Sequence, residues 1–251
     1  MKTDAGLPPA IDRLPATLIA QLPEGAGVVS RVQQGQCLIL ALHGANPELG
    51  WFDLDLPEPP WRPIHSDPSE RAWPIQALLA HDREFLAIGG NRVSAYAWGR
   101  PGNAPERVRT ARLALDGYQV LSTALTKSHL AILASRISRR VKMRDLTLWH
   151  DLGKCAPTHR RTELLLLLAV DSFRELGAAA LEQRFDAAMQ PTPPPRWSNL
   201  LLSETHLHLQ DAIGGTIQIT LRDGPVEDFQ QQIHSCFNHE FPTLGETYGK
   251  L

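Results

Sequence analysis

Short apolar runs separated by polar turns recur along the first two thirds of this 251-residue chain. Three segments align without a gap, namely VVSRVQQGQCLILAL from Val28, IQALLAHDREFLAIG from Ile75 and VLSTALTKSHLAILA from Val120. In each segment a polar turn separates two apolar stretches of strand length, a pattern typical of paired β-strands. Each segment therefore predicts a β-hairpin.

A tryptophan ends each of these repeated stretches at a regular distance. Trp51, Trp98 and Trp149 are 47 and 51 residues apart, and repeats of about 40 to 50 residues built from short strands are the spacing of β-propeller blades. We therefore expect the three indoles to occupy equivalent, buried blade positions. Leu130 to Trp149 is six residues longer than the matching stretch of the first two units, which predicts a longer hairpin loop in the third unit.

Prolines mark the ends of the repeated units. They follow the second apolar pair of successive units, and proline cannot donate to a sheet ladder, so it belongs at strand ends and edges. The sequence thus predicts a mainly β fold, a propeller-like repeat of about four to five short-stranded units at approximately 20-64, 72-108, 118-160, 162-197 and 198-223. We expect these units to form one domain, 1-223, followed by a C-terminal tail, 224-251.

Residues 162-189 leave two interpretations open. The stretch SFRELGAAALEQRFDAAMQ is rich in Ala, Leu, Glu and Gln, which are good helix formers. The same region copies the layout of the first unit, since RFDAAMQPTPPPRW resembles WFDLDLPEPPWRP. The segment is therefore either helical or a degenerate blade.

The composition indicates the cellular compartment of the protein and argues against some classes of partner. With 25 Lys and Arg against 27 Asp and Glu the formal charge is −2, so no global field draws the protein to nucleic acid or anionic lipid. Cys37, Cys155 and Cys236 are odd in number and form no CxxC pair, which suits a reducing compartment. No apolar run reaches the roughly 18 residues of a membrane span, and the N-terminus lacks a hydrophobic signal core. We expect a cytoplasmic protein with neither a membrane nor a nucleic acid as its partner.

The string LTLWHDLGKC, residues Leu146 to Cys155, resembles the last strand and exit turn of a WD-repeat propeller blade. In that family Trp-Asp ends an apolar-alternating strand and a Gly-Lys-Cys turn follows, whereas here His150 stands between Trp149 and Asp151. In layout the chain is similar to the β-propeller components that accompany MoxR-type AAA+ ATPases and von Willebrand A proteins in bacteria. The resemblance implies a non-enzymatic protein-interaction scaffold without a cofactor, acting in a bacterial cytoplasmic complex with such an ATPase and such a von Willebrand A protein.

The same residues also resemble a second family. His150, Asp151 and Lys154 belong to the string HDLGK, which is similar to the metal-binding core of HD-domain phosphohydrolases. This resemblance implies a divalent transition metal, with Lys154 near a phosphate, and the metal ligands His129, His150, Asp151 and a distal Asp171 or Asp211. Between His129 and His150, a helical apolar stripe could be formed by Leu130, Leu133, Ile137, Val141 and Leu148. The β-like repeats on either side leave little room for the helices of such a site, which favours the scaffold.

Two further groups are candidates for binding. Glu204, His206 and His208 lie at alternate positions, so on a strand they share one face and could ligate a metal, although an exposed polar strand face gives the same pattern. A basic cluster in the long third hairpin is where an acidic partner or a nucleic-acid backbone would be met, and it consists of Arg139, Arg140, Lys142 and Arg144. The chain has no glycine-rich phosphate loop and no nucleophile elbow.

Overall fold

The computed structural model of the chain describes residues 14–44, 47–64, 74–100, 102–139, 158–186, 197–211, 215–221 and 225–233. Within these ranges most regular structure is antiparallel β-strand, and the strands form four sheets. The predicted mainly β fold, built as a propeller-like repeat of short-stranded units, is confirmed. The chain divides into two compact units, Met1–Gln119 and Val120–Leu251.

The first unit contains two four-stranded meanders preceded by one helical turn, α1 (Ala16–Ile19). The first sheet consists of β1 (Gly27–Gln34), β2 (Cys37–His43), β3 (Glu48–Asp53) and β4 (Arg62–Pro63). The second sheet consists of β5 (Ala77–His81), β6 (Glu84–Gly89), β7 (Arg92–Ala97) and β8 (Glu106–Arg112). In both sheets each strand pairs with the next one along the chain.

Alternation along β2 and β3 sends neighbouring side chains into two different apolar layers. Ile39 and Trp51 belong to a buried cluster that also contains Phe85 of the second sheet. Phe52, one residue after Trp51, belongs instead to a cluster with Leu18 of α1. Fully burying a side chain of this size contributes about 1.5 to 3 kcal/mol, so the first layer holds the two sheets of the unit together.

The second unit contains a four-stranded and a three-stranded sheet. The four-stranded sheet consists of β9 (Gln119–Leu125), β10 (His129–Arg139), β11 (Thr158–Ala169) and β12 (Glu175–Asp186). The three-stranded sheet consists of β13 (Trp197–Leu202), β14 (His206–Asp211) and β15 (Thr216–Thr220). Leu133, Leu165 and Leu207 pack in one core that includes Phe229 of the helical turn at 229–233.

The four-stranded sheet of the second unit spans two ranges that the sequence assigned to separate blades, 118-160 and 162-197. β10 pairs with β11 residue by residue, from His129 opposite Ala169 to Arg139 opposite His159. Within this pairing, residues 130–134 and 164–168 are apolar on both faces and buried, as is usual for strands covered on two sides. The predicted hairpins correspond to β1 with β2, β5 with β6, and β9 with β10.

Of the two interpretations of 162-189, the helix is wrong over the described residues. β11 and β12 occupy 158–169 and 175–186, and they pair from Thr158 opposite Asp186 onward. The alanine-rich stretch lies opposite the leucine run of β11, with Ala180 paired to Leu164. Ladder hydrogen bonds and burial against this apolar strand outweigh the helix propensity of alanine, which amounts to less than about 1 kcal/mol per residue.

The helical stripe considered for the phosphohydrolase interpretation is also wrong where the structure describes it. Leu130, Leu133 and Ile137 lie on β10. Side chains alternate across a strand, so Leu130 and Leu133 point to opposite faces of the sheet. The other two members of the stripe, Val141 and Leu148, lie outside the described residues.

Candidate functional site: a cleft at the hairpin ends of the first unit

The first hairpin turns of the two sheets in the first unit lie side by side. The Gln34 side-chain amide, at the end of β1, donates to the Asp82 carbonyl in the β5–β6 turn at 2.9 Å. The Trp98 backbone N–H, just after β7, donates to the Arg83 carbonyl of the same turn at 3.2 Å. In the first sheet, Leu54 N–H, just after β3, donates in the same way to the Gln36 carbonyl at 2.8 Å. Four chain segments of the unit therefore end at one edge.

These segments enclose a cleft of about 290 Å³. Its walls combine two indoles, two carboxylates, a guanidinium, a thiol and two amides, together with two glycines. The lining residues are Gln34, Gly35, Gln36, Cys37, Trp51, Asp53, Asp55, Trp98, Gly99 and Arg100. Asp55 and Arg100 are exposed, whereas Trp51 and Asp53 are buried, so the charge of Asp53 lies on the floor and that of Asp55 at the rim.

Asp53 organises the floor of the cleft. Its side chain is only 7% exposed, and its Oδ2 accepts a hydrogen bond from Gly102 N–H at 3.1 Å. Its Oδ1 accepts from Asp55 N–H at 3.3 Å. This carboxylate thus holds the β3–β4 and β7–β8 connections against each other.

The Cys37 thiol also lines the cleft, close to Asp53. Burial, and next the negative charge of Asp53, raise the pKa of Cys37 to about 11. A thiol with so high a pKa stays protonated at neutral pH and is a poor nucleophile. Cys37 is therefore a lining residue of the cleft.

Trp51 lines the cleft, and its indole N–H donates no hydrogen bond to any described residue. The residue is 2% exposed, and the Arg62 guanidinium lies 5.1 Å from the centroid of its ring. This distance is within the range of a cation–π contact. The indole Nε1–H is buried and has no hydrogen-bond partner among the described residues. Leaving a buried donor unpaired costs about 1 to 3 kcal/mol.

Trp98 also lines the cleft and is half-buried. Its ring lies 5.1 Å from that of Phe85, tilted by 51°. A Cβ at the next residue, Gly99, would collide with the Asn103 backbone carbonyl. Gly99 therefore allows the β7–β8 connection to fold tightly beside the indole.

The two tryptophans are not equivalent in register, although the sequence predicts equivalence. Leu38 pairs with Phe52, so Trp51 lies one residue before that partner. The aligned Phe85 pairs with Tyr96, so Trp98 lies two residues after that partner. The connection between β2 and β3 is residues 44–47, while the connection between β6 and β7 is the tight turn 90–91. The two tryptophans follow Leu38 and Phe85 by the same number of residues in the sequence. Because the two connections differ in length, they nevertheless occupy different register positions on β3 and just after β7.

The other predicted site residues are divided between described and undescribed parts of the chain. Trp149, His150, Asp151 and Lys154 lie outside the described residues, as do Arg140, Lys142 and Arg144. Arg139 is the last residue of β10, and Asp211 is the last residue of β14. Asp171 is exposed in the turn between β11 and β12, where its carboxylate accepts from the Ser172 hydroxyl at 2.8 Å.

His129 is buried at the start of β10, 5% exposed. Its Nδ1 lies 2.8 Å from the Ser128 hydroxyl and 3.8 Å from Glu204 Oε2. Glu204 also accepts hydrogen bonds from the Ser128 hydroxyl and, at 2.9 Å, from Lys127 N–H. These contacts join the β9–β10 turn to the β13–β14 turn, as Gln34 joins the corresponding turns of the first unit. The hydrogen bond from Ser128, followed by those from Lys127 and Thr126 and the nearby His129, lowers the pKa of Glu204.

No group of three or more His, Cys, Asp or Glu side chains within the described ranges is arranged to hold a metal ion. This includes Glu204, His206 and His208, proposed from their alternation. His206 Nδ1 is hydrogen-bonded to the Thr205 hydroxyl at 2.8 Å, and the His206 and His208 rings are 6.1 Å apart. None of the helices that the structure describes is long and apolar enough to cross a membrane.

The lining carboxylates, thiol and Arg100 were not singled out by the sequence patterns. A signal for them was present, because the gapless alignment places Gly35 of the β1–β2 turn opposite Asp82 of the β5–β6 turn. Equivalent turns of neighbouring blades lie at the same edge. Residues around those turns were therefore candidates for one site.

No family model matches this chain, and no curated protein matches it. Solved structures similar to it include the computationally designed protein Ika4, with a TM-score of 0.45 and 7% identity over 80% of this chain and 94% of that one. Raptor from Chaetomium thermophilum has a TM-score of 0.47 and 13% identity, over 81% of this chain but only 16% of Raptor. Glutaminyl cyclase from Myxococcus xanthus has a TM-score of 0.38 and 13% identity, over 88% of this chain and 78% of that one. These values are low, so the description of the fold rests on the four sheets themselves.

Proposed function

We propose that this protein is a non-enzymatic interaction scaffold of a bacterial cytoplasmic complex, and that its partners are a MoxR-type AAA+ ATPase and a von Willebrand A protein. The cleft is the observation that supports a scaffold. Connections from two sheets line it, and the sheets hold these connections in place. Binding residues are often found on loops that a rigid framework positions. Tryptophan and arginine, both present in these walls, are enriched at the energetic centres of protein interfaces.

An exposed leucine beside the cleft supports the same proposal. Leu56 is 37% exposed and follows the rim residue Asp55, with its N–H bonded to the Asp53 carbonyl at 3.2 Å. A leucine held in an ordered turn at the edge of the cleft offers apolar contact area to a partner. The free thiol of Cys37 is consistent with a reducing cytoplasm.

The test compares two leucine variants. The purified chain is titrated against a purified MoxR-type ATPase and a purified von Willebrand A protein from the same cell, and binding is followed by biolayer interferometry. Leu56→Asp places a charge beside the cleft and is expected to weaken binding at least tenfold. Leu201→Asp is the matched control, because Leu201 is 58% exposed on β13 of the second unit.

Wild-type binding to at least one protein, lost in Leu56→Asp and kept in Leu201→Asp, supports the proposal. Absence of binding to both proteins overturns the proposed partners. Equal losses in the two variants would show that the cleft is not the docking surface.

A further inference from the structure

The last strands of the four sheets differ in how their outer edges are protected. β4 is two residues long and includes Pro63, and β12 accepts a hydrogen bond at its Leu176 carbonyl from Val226 N–H at 2.8 Å. β8 carries four charged residues, namely Glu106, Arg107, Arg109 and Arg112. Short length, proline, charge and coverage keep edge strands from pairing with other chains. β15 has none of these: its five residues, TIQIT, are uncharged and include no proline, and among the described residues it pairs with β14 alone.

The ladder between β14 and β15 determines which backbone groups of β15 face outward. Leu221 N–H, directly after β15, donates to the Thr205 carbonyl at 2.8 Å, so these two residues form a hydrogen-bonded pair. Such pairs alternate with non-hydrogen-bonded pairs along an antiparallel ladder, and the register of β15 on β14 has no bulge. The backbone groups of Ile217 and Ile219 therefore face β14. The N–H and C=O groups that face away from β14 belong to Thr216, Gln218 and Thr220.

β15 has the same sequence in both directions, with Gln218 at its centre. When a second copy of β15 lies antiparallel to the first about a two-fold axis through Gln218, Thr216 is opposite Thr220 of that copy, and Ile217 is opposite Ile219. A two-fold interface needs such self-complementarity, because each surface contacts an identical one. In this register the outward-facing residues form hydrogen-bonded pairs, each of which exchanges two hydrogen bonds. Every outward N–H and C=O of β15 then has a partner.

The side chains of the two copies also match on each face of the sheet, because directly opposed residues of an antiparallel pair share a face. Thr216, Gln218 and Thr220 are exposed, so their side chains stay in water in both copies, and opposed threonines are favourable cross-strand neighbours. Ile217 and Ile219 are buried in the core of the second unit. The pairing therefore opposes no like charges and moves no apolar side chain into water.

We propose that β15 is a self-association edge, at which two copies of this chain pair antiparallel about a two-fold axis at Gln218. The three-stranded sheets β13–β15 of the two copies then form one continuous sheet. This inference goes beyond the proposed scaffold function and does not depend on its partners. Two five-residue edges bury much less than the roughly 1,200 to 2,000 Å² of a stable interface. We therefore expect a weak dimer whose population rises with protein concentration.

The test is sedimentation equilibrium of the full chain at concentrations up to roughly 1 mM, since a contact of this size can be that weak. The matched variants are Gln218→Lys and Gln210→Lys, which place the same charge at two exposed glutamines of one sheet. Gln218→Lys puts two like charges opposite each other at the axis and should weaken the dimer at least about fivefold. Gln210→Lys should leave it unchanged. The two Gln210 positions lie three strand spacings apart, about 14 Å at roughly 4.8 Å each, beyond the screening length of about 8 Å at physiological salt.

Charge complementation tests the position of the axis. Gln218→Glu by itself should also weaken the dimer, because two carboxylates are then opposed. A one-to-one mixture of the Gln218→Lys and Gln218→Glu proteins places opposite charges across the axis and should restore association at least to the wild-type strength. An interface away from Gln218 would not respond in this way. Far-UV circular dichroism of each variant should match the wild type, so that the change reports association and not folding.

A dimer that is weakened by Gln218→Lys, kept in Gln210→Lys and restored in the mixture supports the proposal. A wild-type chain that stays monomeric overturns it, and so does a dimer that Gln218→Lys leaves unchanged. Equal losses in Gln218→Lys and Gln210→Lys overturn it in favour of a contact through the sheet face. A mixture that associates no more strongly than either variant alone also overturns it, because Gln218 would then lie off the axis. A monomer that loses partner binding in Gln218→Lys would assign the edge to a strand of another protein instead of a second copy.

Discussion

Ser30 on β1 accepts a hydrogen bond from the Leu78 backbone N–H on β5 at 2.9 Å, and so joins the first strands of two neighbouring sheets. The second unit repeats this bond: Ser122 on β9 accepts from the Leu200 N–H on β13 at 3.2 Å. In the gapless alignment of the repeated segments, Ser30 and Ser122 occupy the same position. The repeat is therefore preserved in a contact between sheets as well as within each sheet.

Removing the two hydroxyls should have unequal effects. Ser30→Ala leaves the Leu78 N–H without its side-chain acceptor, and we expect it to lower the free energy of unfolding by about 1 to 3 kcal/mol. Ser122→Ala should cost less, because the Leu200 N–H also donates to Asn199 Oδ1 at 2.9 Å. Urea denaturation of both variants measures the difference, with Ser172→Ala in an exposed turn as the control. Equal losses in the two variants would contradict this account.

The tryptophan variants should also differ. Trp51→Ala removes an almost fully buried indole from the layer between two sheets, and we expect a loss of about 3 to 5 kcal/mol. Trp98→Ala should cost clearly less, because its ring is half-buried at the cleft. The sequence alone predicts equal losses at Trp51, Trp98 and Trp149. Thermal and urea unfolding of the single variants decides between the two expectations for Trp51 and Trp98.

Stability should fall in acid partly through Glu204. Its pKa is lowered in the folded protein, chiefly by the hydrogen bond from Ser128, so the folded state favours the carboxylate. This contribution is present above the ordinary glutamate pKa of about 4.3, and it is lost as the pH falls through the lower folded-state value. Glu204→Gln should destabilise the protein at pH 7 and have little effect near pH 2. Urea midpoints measured at both pH values test this, and an equal effect at the two would speak against it.

The phosphohydrolase alternative can be tested at the residues that define it. We expect the purified protein to carry no stoichiometric divalent transition metal and to hydrolyse no phosphodiester above a heat-killed control. The His150→Ala, Asp151→Ala double variant should then match the wild type in metal content. Metal analysis by mass spectrometry checks this. About one metal equivalent, lost in the double variant together with a phosphodiesterase activity, would favour the enzyme and make His129 the next ligand to replace.

The strands and hairpins of the aligned segments were predictable because their signals are local. Apolar runs of strand length, separated by turn residues such as Gly35, determine where a strand begins and ends. The cleft was not predictable in the same way. Asp53 and Gly102 are 49 residues apart. No local sequence pattern indicates that a carboxylate of one sheet accepts a hydrogen bond from a loop of the next sheet.

By itself, the sequence determined the mainly β class, the repeat and the hairpins, because strand alternation and turn chemistry act between near neighbours in the chain. Only the tertiary structure decided that 175–186 is a strand, since pairing with the leucine run of β11 outweighs a small helix propensity. It also decided that Trp51 and Trp98 pack in one apolar layer from unequal register positions. Sheet packing and turn length set those positions, and both depend on residues far apart in the chain.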